Sequence, residues 1–191
     1  MRDAGRGTHI RRAPSPDGRV PAVLAHSSQY TNRMTTPAHP SRDQNGDWRV
    51  RLIDSSAGIR ALLERTRRIA VLGIKTEAQA GQPAFYVPEY AHQAGYEVIP
   101  VPVYYPDART ILGRDVYRKV ADVPGDVDLV NVFRRPADIP PHVDDIIAKR
   151  PKAVWFQSGI RNDAAAEQLA RAGIDVVQDR CLMVELRRIG R

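Results

Sequence analysis

The residues able to do chemistry in this sequence are few, and their types suit binding more than reaction. Gly73-Ile74-Lys75 ends the apolar run Ile69 to Leu72 and stands ahead of Gln82-Pro83-Ala84 and a helix-like segment carrying Val87. Where a strand, a glycine turn and a helix start meet, unpaired backbone N–H groups converge in a way that suits a phosphate. Lys75 adds a point charge there; the alternative is an ordinary strand-to-helix connection with a surface lysine. Arg134-Arg135 directly follows a second apolar run, 128 to 133. Their forked donors match phosphate or carboxylate groups, or they pair with Asp138 or Asp179. Trp155 reads as core, and Gln157-Ser158-Gly159 behind it joins a side-chain amide to a glycine turn that could bound a ligand slot.

No reactive set accompanies them. A nicotinamide site wants Gly-x-Gly-x-x-Gly after the first strand and an acid at the end of the second. Here Gly73 is followed by Ile74, Lys75 and Thr76, and the second strand ends in Pro102-Val103-Tyr104. A Walker loop needs a glycine directly before the lysine and a second glycine five residues before that; here those places are Ile74 and Ile69, and Thr76 after Lys75 does not by itself make the loop. Ser158 lacks the flanking glycines of a nucleophile elbow. His9, His26 and His39 lie in the N-terminal segment, and His92 and His142 read as surface residues on helices. Asp144-Asp145 splay apart as a solvated helix face. Cys181 is the only cysteine, which excludes an internal disulfide and argues against a zinc site. No catalytic residue and no metal site is expected.

The elements that must hold these residues follow from periodicity. Asp54-Ser55-Ser56 caps a short helix with Ile59, Leu62 and Leu63 on one face. A strand at 69 to 72 leads into a helix from Pro83 that stops at Gly95, with Pro88 acceptable only in its first turn. Strands are expected at 97 to 101, 128 to 133, 153 to 156 and 174 to 177. Between the second and third, the chain is mostly turn, anchored by Ile111-Leu112 and Val116-Tyr117. Helices open at Pro140-Pro141, with Val143, Ile146 and Ile147 inward, and at Asn162. A terminal helix carries Met183, Leu186 and Ile189. Strands alternating with helices predict one doubly wound α/β domain with a parallel sheet of about five strands and helices on both faces. Ligands of such sheets sit beyond the strands' carboxyl ends.

Charge is unevenly placed. Residues 1 to 68 hold thirteen arginines, no lysine and six acidic residues, so the whole net charge of +7 lies there and the remainder is neutral. A neutral core offers no electrostatic footprint for nucleic acid. Residues 1 to 47 are expected to be a disordered basic extension, with Met34 as an alternative start, and residues 48 to 191 the folded domain. Without an apolar run of bilayer length or a signal-like segment, a soluble cytoplasmic protein with no membrane partner is expected.

The pieces, in order, resemble a known family. Gly73, Gly95-Tyr96-x-Val98-Ile99-Pro100-Val101, Gly113, Asp128-Leu129-Val130-x-Val132-Phe133-Arg134, Trp155-x-Gln157-x-Gly159-Ile160 and Asp179-Arg180-Cys181 resemble the small single-domain CoA-binding proteins. These are similar to the CoA-binding domain of the succinyl-CoA synthetase alpha subunit. The resemblance implies a Rossmann-like sheet that binds coenzyme A or an acyl-CoA without ligase activity. It places the diphosphate at Gly73-Ile74-Lys75 and at the helix start, Gln82, Pro83, Ala84 and Val87. Pro102, Val103, Phe133 and Arg134 flank adenosine and pantetheine, and Gln157, Ser158, Gly159 and Cys181 close the slot. The sequence departs from the family at Lys75, Gln82 and Ala84, where a small hydroxyl residue, an arginine and a serine are usual, and at Pro102-Val103, where Asn-Pro is usual. The alternatives are an NAD(P)-type or other nucleotide-binding enzyme domain and a regulatory protein with a vestigial pocket. A mixed disulfide between Cys181 and the CoA thiol, against an inert buried cysteine, is a subsidiary idea. The sequence leaves a homo-oligomer open.

Overall fold

A computed structural model describes residues 46 to 191. The expected disordered extension therefore lies, but for its last two residues, outside the described residues, and so does Met34. In chain order the strands are β1 (Arg68–Leu72), β2 (Glu97–Val101), β3 (Thr110–Ile111), β4 (Arg114–Asp115), β5 (Leu129–Val132), β6 (Ala153–Phe156) and β7 (Asp175–Val177). The helices are α1 (Ser56–Arg65), α2 (Pro83–Gln93), α3 (Pro140–Lys149), α4 (Asp163–Arg171) and α5 (Leu182–Arg188). β3 and β4 form a small antiparallel hairpin where the sequence indicated only turn.

The other five strands make one parallel sheet in the order β2-β1-β5-β6-β7. This is the expected Rossmann-like, doubly wound arrangement. Its strands are buried on both faces, which is why they read as unbroken apolar runs. Leu72, Val132, Val154 and Phe156 pack under Val143 and Ile146 of α3 and Leu169 of α4. The alternate residues Ile69, Val71, Leu129 and Trp155 pack under Leu62 and Leu63 of α1, Phe85 of α2 and Leu186 of α5. The chain moves outward from β1 to β2, then crosses back to β5 and continues the other way. The switch point thus falls between β1 and β5, at the carboxyl ends where a crevice must open. At the far edge, Ile53 donates its N–H to the Val176 carbonyl at 2.8 Å, so the segment before α1 covers β7.

Local signals set the helix starts. The Ser55 hydroxyl accepts from the Gly58 N–H, and the Asn162 side chain accepts from the Ala165 N–H at 2.9 Å. Three expectations need correction. Pro88 lies inside α2, beyond its first turn. The helix tolerates it because the Ala84 carbonyl, deprived of its helical donor, accepts the Lys75 N–H at 3.1 Å. Asp145 is not a solvated residue: its carboxylate accepts the N–H groups of Val120 and Ala121, fastening the long connection to α3. His92 and His142 are half-buried, not surface residues.

At the amino ends, buried Asp128 joins three strands. Its carboxylate accepts the Arg67 and Arg68 N–H groups at 2.8 and 2.9 Å and the Lys152 ammonium at 2.7 Å. Burial by itself raises the Asp128 carboxyl, but the hydrogen bonds from Lys152, Arg68 and Arg67 outweigh it and hold the group below the ordinary range. A depressed folded value means that this stabilisation is present above the unfolded value of about 4 and is lost as pH falls through the folded value. Asp128→Asn is expected to cost roughly 1–2 kcal/mol at pH 7. Denaturant melts of both proteins should show the difference closing below about pH 4.

Candidate functional site

The crevice predicted by the switch point is present. A cavity of about 490 Å³ opens over the carboxyl ends of β5 and β6. Its walls are the first turns of α2 (Gln82, Pro83, Ala84, Tyr86, Val87), the end of β5 (Phe133, Arg134, Arg135, Pro136), the loop after β6 (Gln157, Ser158, Gly159, Ile160) and Cys181.

Its foundation is Gly73. This residue has φ of +87°, and a Cβ placed on it would lie 2.4 Å from the Phe133 carbonyl oxygen and 3.2 Å from Cδ of Arg134. Only glycine lets the ends of β1 and β5 approach this closely. The Gly73 N–H donates to the Val101 carbonyl at 2.8 Å, so the same residue also fixes β2. Gly73, Ile74 and Lys75 do not line the cavity. The Lys75 ammonium lies 3.3 Å from the Tyr105 hydroxyl. Pro102 and Val103 also lie off the lining. Ten of the residues indicated by the sequence do share the wall: Gln82, Pro83, Ala84, Val87, Phe133, Arg134, Gln157, Ser158, Gly159 and Cys181.

On the other side of the cavity an amide relay sets the wall. Gln157 is buried; it donates its Nε2–H to Asn131 Oδ1 at 2.7 Å and accepts the Leu182 N–H at 3.3 Å. The Trp155 Nε1–H donates to the Arg180 carbonyl at 2.7 Å, and the Gly159 N–H to Asp179 at 2.6 Å. These bonds join the loops after β6 and β7 and hold Cys181 at the cavity wall. Cys181 is a free cysteine, half-buried where it packs against the core.

The electrostatics are concentrated at the end of β5. Both arginines pair with Asp138, Arg135 at 2.8 Å and Arg134 at 3.5 Å. The hydrogen bond from Arg135 holds the Asp138 carboxyl below its ordinary value, and the same contact raises Arg135. The Arg134 guanidinium lies 5.2 Å from the Tyr104 ring centre. Its hydrogen bond and charge lower the Tyr104 phenol. Burial, then the Arg134 charge, lowers His142. The lining thus combines two arginines that share Asp138 with apolar residues, an amide and a thiol. Among the described residues no cluster of His, Cys, Asp and Glu is placed to hold a metal, and no helix is long and apolar enough to cross a membrane.

The sequence reading missed Tyr86 as a wall residue and Asn131 as the relay partner. Asn131 carried a signal, being a polar residue inside the otherwise apolar run Leu129-Val130-Asn131-Val132. Tyr86 carried none, because helix position alone does not say which side faces a crevice.

A doubly wound sheet with a cavity at its switch point defines a nucleotide-binding module of the Rossmann type. Residues 67–187 match the family model described as a CoA binding domain, and the chain belongs to that family. It is 32% identical over 130 residues to the Bacillus subtilis (strain 168) protein YneT, spanning 68% of this chain and 93% of that protein. Among solved structures it is similar to cell-free ID.343 of Thermus thermophilus, with TM-score 0.65 and 38% identity over 71% of this chain and 99% of that one. A Pyrococcus horikoshii OT3 protein gives TM-score 0.65 and 31% identity over 72% of this chain and 94% of that one.

Gly73→Ala is expected to cost more than about 2 kcal/mol, since it adds a positive-φ penalty to a clash with backbone. Chemical denaturation would show it; an unchanged midpoint would mean that β1 and β5 are not held this close.

Proposed function

We propose that the cavity binds coenzyme A or an acyl-CoA and carries out no reaction on it. The observation that carries this reading is the make-up of the cavity wall. Its lining joins two cations, Arg134 and Arg135, to the polar Gln157 and Cys181 and the apolar Pro83, Val87, Phe133 and Ile160. Coenzyme A carries the matching groups: an anionic phosphate end, a pantetheine arm with two amides and a thiol. Membership of the CoA binding domain family supports the same assignment. Among the described residues no base is in hydrogen-bond contact with Ser158 or Cys181, which favours a carrier or sensor of the nucleotide over an enzyme.

Gln82 and Ala84 at the start of α2 supply no charge, so the ligand's phosphates meet cations at the end of β5 and apolar or amide groups elsewhere. A ligand that binds only the native protein raises its unfolding temperature by mass action, by about 2.7 kcal/mol of stability at a hundredfold excess over Kd. Thermal unfolding of the full chain with CoA, dephospho-CoA, acetyl-CoA, NAD and NADP tests the reading. The expected result is a rise with CoA or acetyl-CoA and none with NAD or NADP. A rise with NAD or NADP only would assign the cavity to a dinucleotide, and no rise with any of them would leave it without a nucleotide ligand.

A further inference from the structure

We propose that Arg134 is the residue that neutralises the ligand's diphosphate, and that in this chain it takes the task from the glycine loop and the start of α2. The inference rests on the CoA-binding reading and names the group that makes it work.

Most donors of the usual diphosphate cradle are already committed here. The Gly73 N–H is committed to the Val101 carbonyl and the Lys75 N–H to the Ala84 carbonyl. Neither residue lines the cavity. At the start of α2, Pro83 has no N–H, and the Phe85 and Tyr86 N–H groups both turn back to the Gln82 carbonyl at 2.8 and 3.1 Å. The side chains of Gln82 and Ala84 add no cation. A helix start so equipped has lost most of the donors that make it attractive to an anion.

Arg134 has what that turn lacks. It lines the cavity, yet its side chain is only 11% exposed. Its stem runs through the space that Gly73 leaves by having no side chain. Its Nε is buried and has no hydrogen-bond acceptor among the described residues. Its contact with Asp138, 3.5 Å, is long for a hydrogen bond. Arg135 reaches the same Asp138 oxygen at 2.8 Å, so Asp138 keeps a close partner when Arg134 turns away from it. A guanidinium this buried with an unmet donor is unfavourable by itself. A diphosphate entering the cavity supplies the missing acceptor and meets a planar fork of matching geometry. The glycine at the switch point thus serves the diphosphate indirectly: it admits the arginine stem in place of the phosphate itself.

The test is calorimetric titration of the full chain with CoA, with pantetheine, which has no phosphates, and with inorganic diphosphate. Wild type is compared with Arg134→Gln, Arg134→Lys and Arg135→Gln. Arg134→Gln is expected to weaken CoA about tenfold, the usual scale for a charged hydrogen bond, and to leave pantetheine unchanged. Arg135→Gln is expected to weaken CoA less than Arg134→Gln does. A loss of CoA affinity under threefold in Arg134→Gln overturns the inference while the CoA-binding reading stands. If Arg134→Gln does not fold, Arg134→Lys decides, because it keeps stem and charge and removes the fork; the same threefold limit applies. If wild type binds no CoA, the reading itself fails. The inference then survives only if diphosphate binds wild type and not the Arg134 variant that folds, and any other result overturns it.

Discussion

The approach of the Gly73 backbone to the Phe133 carbonyl governs the carboxyl end of this sheet. β1 and β5 run side by side in register, and both must turn away at the same level. At that point one chain has to give up its side chain, since a Cβ on Gly73 would sit 2.4 Å from the carbonyl oxygen. With the side chain gone, the Phe133 backbone, the Arg134 stem and the first turn of α2 all lie within one small volume. The cavity is what remains between them and the loop after β6. Change the spacing of these two strands and the arginine, the α2 start and the Gln157 relay lose their common reference.

A second constraint keeps the loop after β1 in place. Pro88 deprives the Ala84 carbonyl of its helical donor, and the Lys75 amide fills the vacancy. Glu77 accepts the Leu112 N–H at 2.8 Å, so the β3-β4 hairpin braces the same loop from outside. A glycine loop in this fold is ordinarily open to a phosphate; here its amides hold the protein together. The cations of the cavity wall stand instead at the end of β5, where Arg134 and Arg135 share Asp138.

Much of this was legible in the sequence because burial leaves a strong signature. Parallel strands covered on both faces must be apolar throughout, so Ile69 to Leu72 and Ala153 to Phe156 announced themselves. The caps at Ser55 and Asn162 were legible from residue type and position. Phe133, Arg134, Gln157, Ser158, Gly159 and Cys181 were named because loops after parallel strands gather at one end of a sheet, and Gln82, Pro83, Ala84 and Val87 from the helix start and the family resemblance. Pro88 was misjudged because the penalty for an internal proline assumes that the freed carbonyl finds no other partner. Asp145 was misjudged because the Val120 and Ala121 amides that it accepts come from a segment 24 to 25 residues away. Nothing local to either residue reveals these contacts.

The sequence by itself determined the elements, their alternation and the end of the sheet at which a ligand belongs, since each depends on local periodicity, turn chemistry and the handedness of crossovers. Tertiary structure decided which groups at that end are free. Whether an amide in the glycine loop faces a ligand or a neighbouring carbonyl, and whether an arginine is spent on Asp138 or left with a donor to spare, depends on distances between segments remote in the chain. Lys75 and Arg134 are both cations beside a strand end. Packing alone set the first against Tyr105 and placed the second in the cavity wall with its Nε unpaired.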